Sequence, residues 1–263
     1  MVTRSDWQGL ISGRSDPESA IRVEIPLAQS RAGGSGAFLA LGSDNQRWWI
    51  KTANNSQGER IIVTEFVVGA VGNLIGAPTC KSAVIRVGAE VAGWEFRPGL
   101  NLEEGLAHGS LAVDGALESR ALDFGKRDDN VRRHTGIHAV YDWCWGADPQ
   151  WLYSEVEDKK TYSHDHGWYL PEEGPNWTEE TLMARVDEPR TLPVVSKGLD
   201  AAAAENYAAR LESIHRAELV KTLKGVPLSW AVTDSELEAL GYFLEKRAPQ
   251  VADRIRKVGG ATS

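Results

Sequence analysis

An α+β fold in two lobes is what this sequence predicts, with a β-rich lobe over residues 1–100 and a mostly helical lobe over residues 101–263. Three observations lead there. Period-two alternation broken by turn residues dominates the first hundred positions, helical spacing dominates the rest, and one short β-like insert interrupts the helical part.

The β-rich part opens with IRVEIPL, residues 21–27, which alternates as a strand does. GAFLALG and QRWWIKT follow as two strands joined by the turn Gly42-Ser43-Asp44-Asn45. Between residues 59 and 76, Ile61, Ile62, Phe66, Val67, Ala70, Val71, Leu74 and Ile75 fall at helical spacing, and Gly-Ala-Pro stops the helix. SAVIRV and EVAGWEF read as further strands, and RPGLNLEEGLAHGS, rich in glycine, reads as the connection between the lobes. In the second half the helical windows are 130–145, 201–223 and 235–258, the last preceded by the capping-box spacing of Thr233 and Glu236. The insert, WLYSEVEDKKTYSHDHGWYL, places two apolar-aromatic runs around the polar turn Glu157-Asp158-Lys159-Lys160, as a hairpin requires. There is no internal repeat.

A chain of 263 residues with 42% apolar and 25% charged residues can bury a sizeable core. The net charge of −8, without a run of Lys and Arg, argues against direct nucleic-acid binding, which needs concentrated cations to release phosphate counterions. Cys80 and Cys144 lie far apart in apolar surroundings, as packed thiols in a reducing compartment do, so the cytoplasm is the expected location. The N-terminus lacks the pattern of a signal peptide, and no apolar run approaches the roughly 20 residues that span a bilayer. The ten tryptophans are read as core residues with anchored indoles.

The chemistry-bearing residues lie in four places. Lys51 closes the apolar run Trp48-Trp49-Ile50 and needs an anion; Glu65, on the following helix, can supply it, and such a pair positions a lysine on nucleotide phosphates. Taken alone, the same two residues read more readily as an edge-strand lysine and a solvated helix glutamate. Ser30 to Gly36, with Gly33, Gly34, Ser35 and Gly36, offers unobstructed backbone N–H groups, as a loop over phosphates or a plain hairpin turn would. It lacks the GK[ST] ending of a nucleotide-triphosphatase loop. Asp148, in WGADPQW, and Asp165, in SHDHG, flank the hairpin. Phosphoryl transfer needs one carboxylate to orient the acceptor hydroxyl and another to hold Mg²⁺, and this spacing offers both.

In that order the stretches WWIKTANNSQGERIIVTEFVVGAVGNLIGAPTC, DWCWGADPQWLY and SHDHGWYLP resemble the HipA-like kinases, compact bacterial relatives of protein and lipid kinases. The likeness runs over about residues 20–175. It implies a two-lobed protein-kinase-like fold, ATP and Mg²⁺ as cofactors, Lys51 paired with Glu65 on the phosphates, Asp148 in the catalytic loop and Asp165 as metal ligand. It also places the adenine-binding hinge near Glu95 and Phe96. The family's loop runs Asp-Arg-His with an Asn a few residues on, whereas Asp148 is followed by Pro149 and Gln150, so Gln150 takes the place of the second metal ligand. The resemblance further implies a protein Ser or Thr as acceptor, with Ser30 and Ser35 as self-phosphorylation sites, and an antitoxin-like protein partner. No membrane is involved.

Two other readings stay open. The shortened loop suits a pseudokinase that binds ATP for regulation. His134 and His138, four apart on one helix, with His164 and His166 around Asp165, suit a zinc hydrolase.

Overall fold

The computed structural model describes residues 2–29, 36–172, 174–193 and 199–260. Its first body is a closed barrel of β1 (Ile21–Gln29), β2 (Phe38–Gly42), β3 (Arg47–Lys51), β7 (Gly105–Leu111) and β4 (Ser82–Val87), in that order around the wall. β1 to β2, β2 to β3, β3 to β7 and β7 to β4 are antiparallel, and a short parallel pairing of β1 with β4, Ile21 opposite Ile85, closes the ring. Alternation explains the interior: Phe38 and Ala40 from β2, Trp48 and Ile50 from β3 and Ile85 and Val87 from β4 all point inward and are buried. Helix α1 (Ile61–Leu74) follows β3, with Ile61, Val67, Val68 and Val71 buried in the main core.

The hairpin of β9 (Trp151–Ser154) and β10 (Lys160–Ser163) gains β8 (Ala116–Ser119) as a third strand, in the order β10-β9-β8. It docks on the exit of α1 through its backbone. Cys80 N–H donates to the Ser163 carbonyl at 3.0 Å, and Ser163 N–H donates to the Pro78 carbonyl at 2.7 Å. The Gly-Ala-Pro stop of α1 therefore presents the edge that receives β10.

The remaining helices are α2 (Asn130–Trp143), α3 (Glu179–Arg185), α4 (Ala201–Glu212), α5 (Arg216–Lys224) and α6 (Asp234–Gly260). α6 is the central one, and its fully buried Arg247 binds the Trp143 and Glu188 carbonyls and the Asp142 carboxylate of α2. The expected cap forms: Glu236 N–H donates to Thr233 Oγ1 at 3.2 Å and Thr233 N–H to Glu236 at 2.9 Å. The indoles of Trp7, Trp143, Trp177 and Trp230 are buried with each N–H bonded, as expected of anchored core tryptophans, whereas the N–H of the equally buried Trp151 has no acceptor among the described residues.

Four expectations are corrected. The stretch read as the connection between lobes contains β7, the barrel strand between β3 and β4. Its glycines hide the strand signal, and packing requires one of them, since a Cβ on Gly109 would stand 2.5 Å from Ile85 Cγ1. The barrel thus runs on to Leu111, past the boundary at residue 100. Residues 4–7 form a 3-10 turn whose Trp7 packs on Gly241 of α6, so the N-terminus lies with the helices and not the barrel. Of EVAGWEF only β5 (Glu95–Arg97) is extended, paired with β6 (Leu100–Asn101). The helix expected over 201–223 is split into α4 and α5, because His215 starts a new cap with its N–H donating to Glu218 at 2.9 Å.

Candidate functional site

A cavity of about 230 Å³ opens between the barrel and the three-stranded sheet. Lys51, Glu65, His108, Gln150, His164 and Asp165 form its polar wall, and Ala37, Trp49, Leu111, Ala116 and Leu152 its apolar one.

Lys51 reaches the cavity as the last residue of β3, across from His108 in β7; it is buried and shares the strand face of Trp49, opposite the barrel-core Trp48 and Ile50. Glu65 lies one turn into α1 and is buried. The ammonium bonds both Glu65 Oε1 and Asp165 Oδ1. The other oxygen of Glu65 accepts the His166 N–H at 3.0 Å, so this carboxylate ties α1 to β3 and to the turn after β10. Asp165 is in the left-handed region, φ 54°, which Asp tolerates better than branched residues, and it precedes the 3-10 turn His166–Trp168. That turn lies on α1 so closely that a Cβ on Gly167 would meet Ile61 Cγ1 at 2.4 Å. The Asp-His-Gly sequence is thus a packing requirement as well as a placement of Asp165.

Burial alone would discharge the Lys51 ammonium, but the charges of Glu65 and Asp165 outweigh it and its pKa is raised. Burial also works against the Asp165 carboxylate, and Lys51 reverses that effect, leaving Asp165 ionised with a lowered pKa. Glu65, deeper, is raised by burial despite Lys51. Burial depresses His108 and His166 to about 3 and His164 to about 4, so the imidazoles around the site are neutral. His166 Nε2 lies 2.8 Å from Ser163 Oγ.

Asp148 stands beside the cavity wall, linked to it by Gln150, whose amide Nε2 donates to Asp148 Oδ2 at 2.6 Å. Its Oδ1 is 3.0 Å from Arg120 Nη1. Asp148 takes φ 45°, in the left-handed region that Asp tolerates better than branched residues. The structure therefore brings Lys51, Glu65, Asp165 and Gln150 to one cavity and sets Asp148 at its edge.

The hinge expected at Glu95 and Phe96 is not on this cavity. Phe96 is buried in the barrel core against Phe38, with ring centroids 5.7 Å apart, and Glu95 accepts the Gly99 N–H at 2.8 Å within the β5–β6 ribbon. The wall position belongs instead to the end of β7 and the segment up to Ala116, which sequence reading missed because it took β7 for a connection. Gly36, at φ 62°, packs against Phe96, where a Cβ would stand 3.1 Å from Cε2. Gly33, Gly34, Ser35 and Ser30 lie outside the described residues.

The four histidines of the zinc reading do not come together. His134 Nε2 is 3.3 Å from Thr161 Oγ1, His138 borders a groove formed with α6, and His164 alone lines the cavity. Among the described residues no group of three His, Cys, Asp or Glu residues is placed to hold a metal ion. His108, Ser110, Glu118 and Leu152 carried no sequence signal as wall residues; they are neighbours only through strand pairing.

The chain has a protein-kinase-like fold. It is similar to the proinflammatory kinase CtkA of Helicobacter pylori, at 10% identity and a TM-score of 0.60, over 93% of this chain and 99% of that one. Two structures of the Golgi casein kinase, one with Mn and ADP bound, align at 8% identity and a TM-score of 0.49. They cover 97% and 99% of this chain and 75% and 78% of theirs, and add nothing to the description of the fold. No family model and no curated protein matches the sequence.

Proposed function

We propose that the protein is an ATP-dependent kinase of HipA-like type that transfers the γ-phosphoryl group to a protein Ser or Thr hydroxyl. The observation that carries the reading is the Lys51 ammonium held between Glu65 and Asp165 on the floor of a half-apolar cavity. A buried lysine bound to two carboxylates costs more to desolvate than a hydrophobic replacement, so the arrangement suits a ligand more than it suits stability.

In this reading Trp49, Leu111 and Leu152 enclose the adenine, with the backbone near Ser110 to Ala116 as hinge, and Lys51 meets the phosphates. The backbone N–H groups of Gly33, Gly34, Ser35 and Gly36 are assigned to phosphate binding in the same reading. Mg²⁺ fits the donor set: Asp165 is an ionised oxygen ligand facing the cavity and the Gln150 amide oxygen is a neutral one, few enough to leave positions for phosphate and water. The ion would supply charge neutralisation on the phosphates. Asp148 orients the acceptor hydroxyl and takes its proton. The acceptor protein, an antitoxin-like partner, a cytoplasmic location and self-phosphorylation at Ser30 or Ser35 belong to the same reading.

Calorimetric titration with a non-hydrolysable ATP analogue and Mg²⁺, followed by intact mass after incubation with Mg·ATP, tests it. Saturable binding and an added phosphate support the kinase; no binding removes it. The Gln150–Asp148 bond at 2.6 Å in a shortened loop favours a second reading, a nucleotide-binding pseudokinase. Binding with no phosphoryl transfer to protein or water would select it.

A further inference from the structure

Among the described residues Arg120 is the cation paired with the proposed acceptor base, and nothing in the motif reading pointed to it. It follows β8 on a turn that is braced from below. The buried Tyr153 hydroxyl donates to the Ala121 carbonyl at 2.8 Å and accepts the Asp123 N–H at 2.7 Å, while Ala121 N–H donates to Ser119 Oγ at 3.1 Å. The side chain above this turn is 71% exposed and places Nη1 3.0 Å from Asp148 Oδ1. An exposed pair of this kind contributes little to stability, between zero and about 1 kcal/mol. Its placement therefore calls for a different explanation.

Charge supply gives one. Among the described residues Lys51 is the cation lining the cavity, and both Glu65 and Asp165 already claim it. A metaphosphate-like group in transfer carries negative charge on three oxygens that need donors on the acceptor side. Arg120 uses Nη1 on Asp148, and a guanidinium has five N–H donors in a rigid fork.

We propose that Arg120 is a catalytic residue of the kinase reading, bridging the Asp148 carboxylate to the phosphoryl group in flight. The acceptor O–H proton passes to Asp148, the acceptor oxygen forms its bond to Pγ, and the bond from Pγ to the bridging oxygen breaks with its electron pair leaving on ADP. Arg120 neutralises charge on the transferred oxygens and holds the Asp148 carboxylate toward the acceptor. Asp148 offers about four lone-pair positions, of which Gln150 and Arg120 occupy two, so room for the hydroxyl remains.

This inference rests on the kinase reading, and an equilibrium test separates the two. The affinities of Mg·ADP alone and of Mg·ADP with aluminium fluoride, which mimics the phosphoryl in flight, are measured for the full chain and for Arg120→Ala and Arg120→Lys. Wild type should bind the fluoride complex more tightly than Mg·ADP; Arg120→Ala should lose roughly 100-fold of that gain while keeping Mg·ADP affinity and the thermal midpoint, and Arg120→Lys should recover part of it. Equal gains in wild type and Arg120→Ala would overturn the role of Arg120 and leave the kinase reading standing. No Mg·ADP binding by wild type would overturn both, and nucleotide binding without any fluoride gain in wild type would overturn the proposed role.

Discussion

Lys51 and Asp165 are joined by an ion pair across 114 positions of sequence, the first closing a barrel strand and the second opening the turn after the β9–β10 hairpin. Glu65 completes the arrangement from α1, so three separate elements meet at one ammonium.

The carboxylates should separate by substitution. Asp148→Asn should retain nucleotide affinity within a few-fold and lower phosphoryl transfer by at least about 100-fold, whereas Asp165→Asn should weaken binding of the Mg·ATP analogue itself by roughly 10-fold or more. Calorimetry and intact mass on the same preparations check both. Equal transfer by wild type and Asp148→Asn would remove Asp148 from its role.

Glu65→Ala leaves the buried Lys51 with one partner fewer and the His166 N–H without its acceptor. Losing one member of a buried pair costs about 3–5 kcal/mol. Urea unfolding should show a lower midpoint at an unchanged slope, with the product of shift and slope equal to that loss. Lys51→Met takes the ammonium from between two carboxylates, so it should be destabilising by a similar amount, and it should also abolish nucleotide binding.

Gly109→Ala tests why β7 looks like a linker. The new methyl would stand 2.5 Å from Ile85 Cγ1 and 3.3 Å from Trp48 Cε3, so the barrel must shift, at a cost of about 1–3 kcal/mol. Thermal unfolding should report it, with nucleotide affinity reduced because β7 also carries His108 and Ser110 into the cavity.

His134 and His138, away from the cavity on α2, make stability depend on pH. Burial depresses both from 6.5 to about 4, so the folded protein keeps them neutral while the unfolded chain takes up protons near pH 6.5. Because the folded pKa lies below the unfolded one, their contribution is full above about pH 6.5 and is lost as pH falls toward 4. The loss is on the order of 2–3 kcal/mol per imidazole. Other buried histidines act in the same direction, so the test is a difference: the fall in thermal midpoint from pH 7 to pH 5 should be smaller in His138→Leu than in wild type.

Local pattern was enough for the elements that carry strong periodicity. β1 to β4, α1, α2, the β9–β10 hairpin and α6 with its Thr233–Glu236 cap were all legible, because alternation, helical spacing and turn residues act over a few neighbours. Where side-chain signal was thin, sequence reading failed. In β7, Gly109 stands where Ile85 and Trp48 fill the space a side chain would need, and Phe96 has no local mark distinguishing a barrel-core ring from a hinge residue.

Residue pattern alone offered the Lys51–Glu65 pair only beside a surface-lysine alternative, and packing settled it; it was sufficient for the α+β class and for Asp148 and Asp165 as acids in loops around a hairpin. Residue types and short spacings encode those features. Only the tertiary structure decided that β7 closes the barrel, that the cavity wall runs from Ser110 to Ala116, that Gln150 and Arg120 hold the two oxygens of Asp148, and that Trp7 belongs with α6. Such neighbours are made by strand pairing and packing between segments distant in the chain, and no local interaction energy distinguishes them before the core has formed.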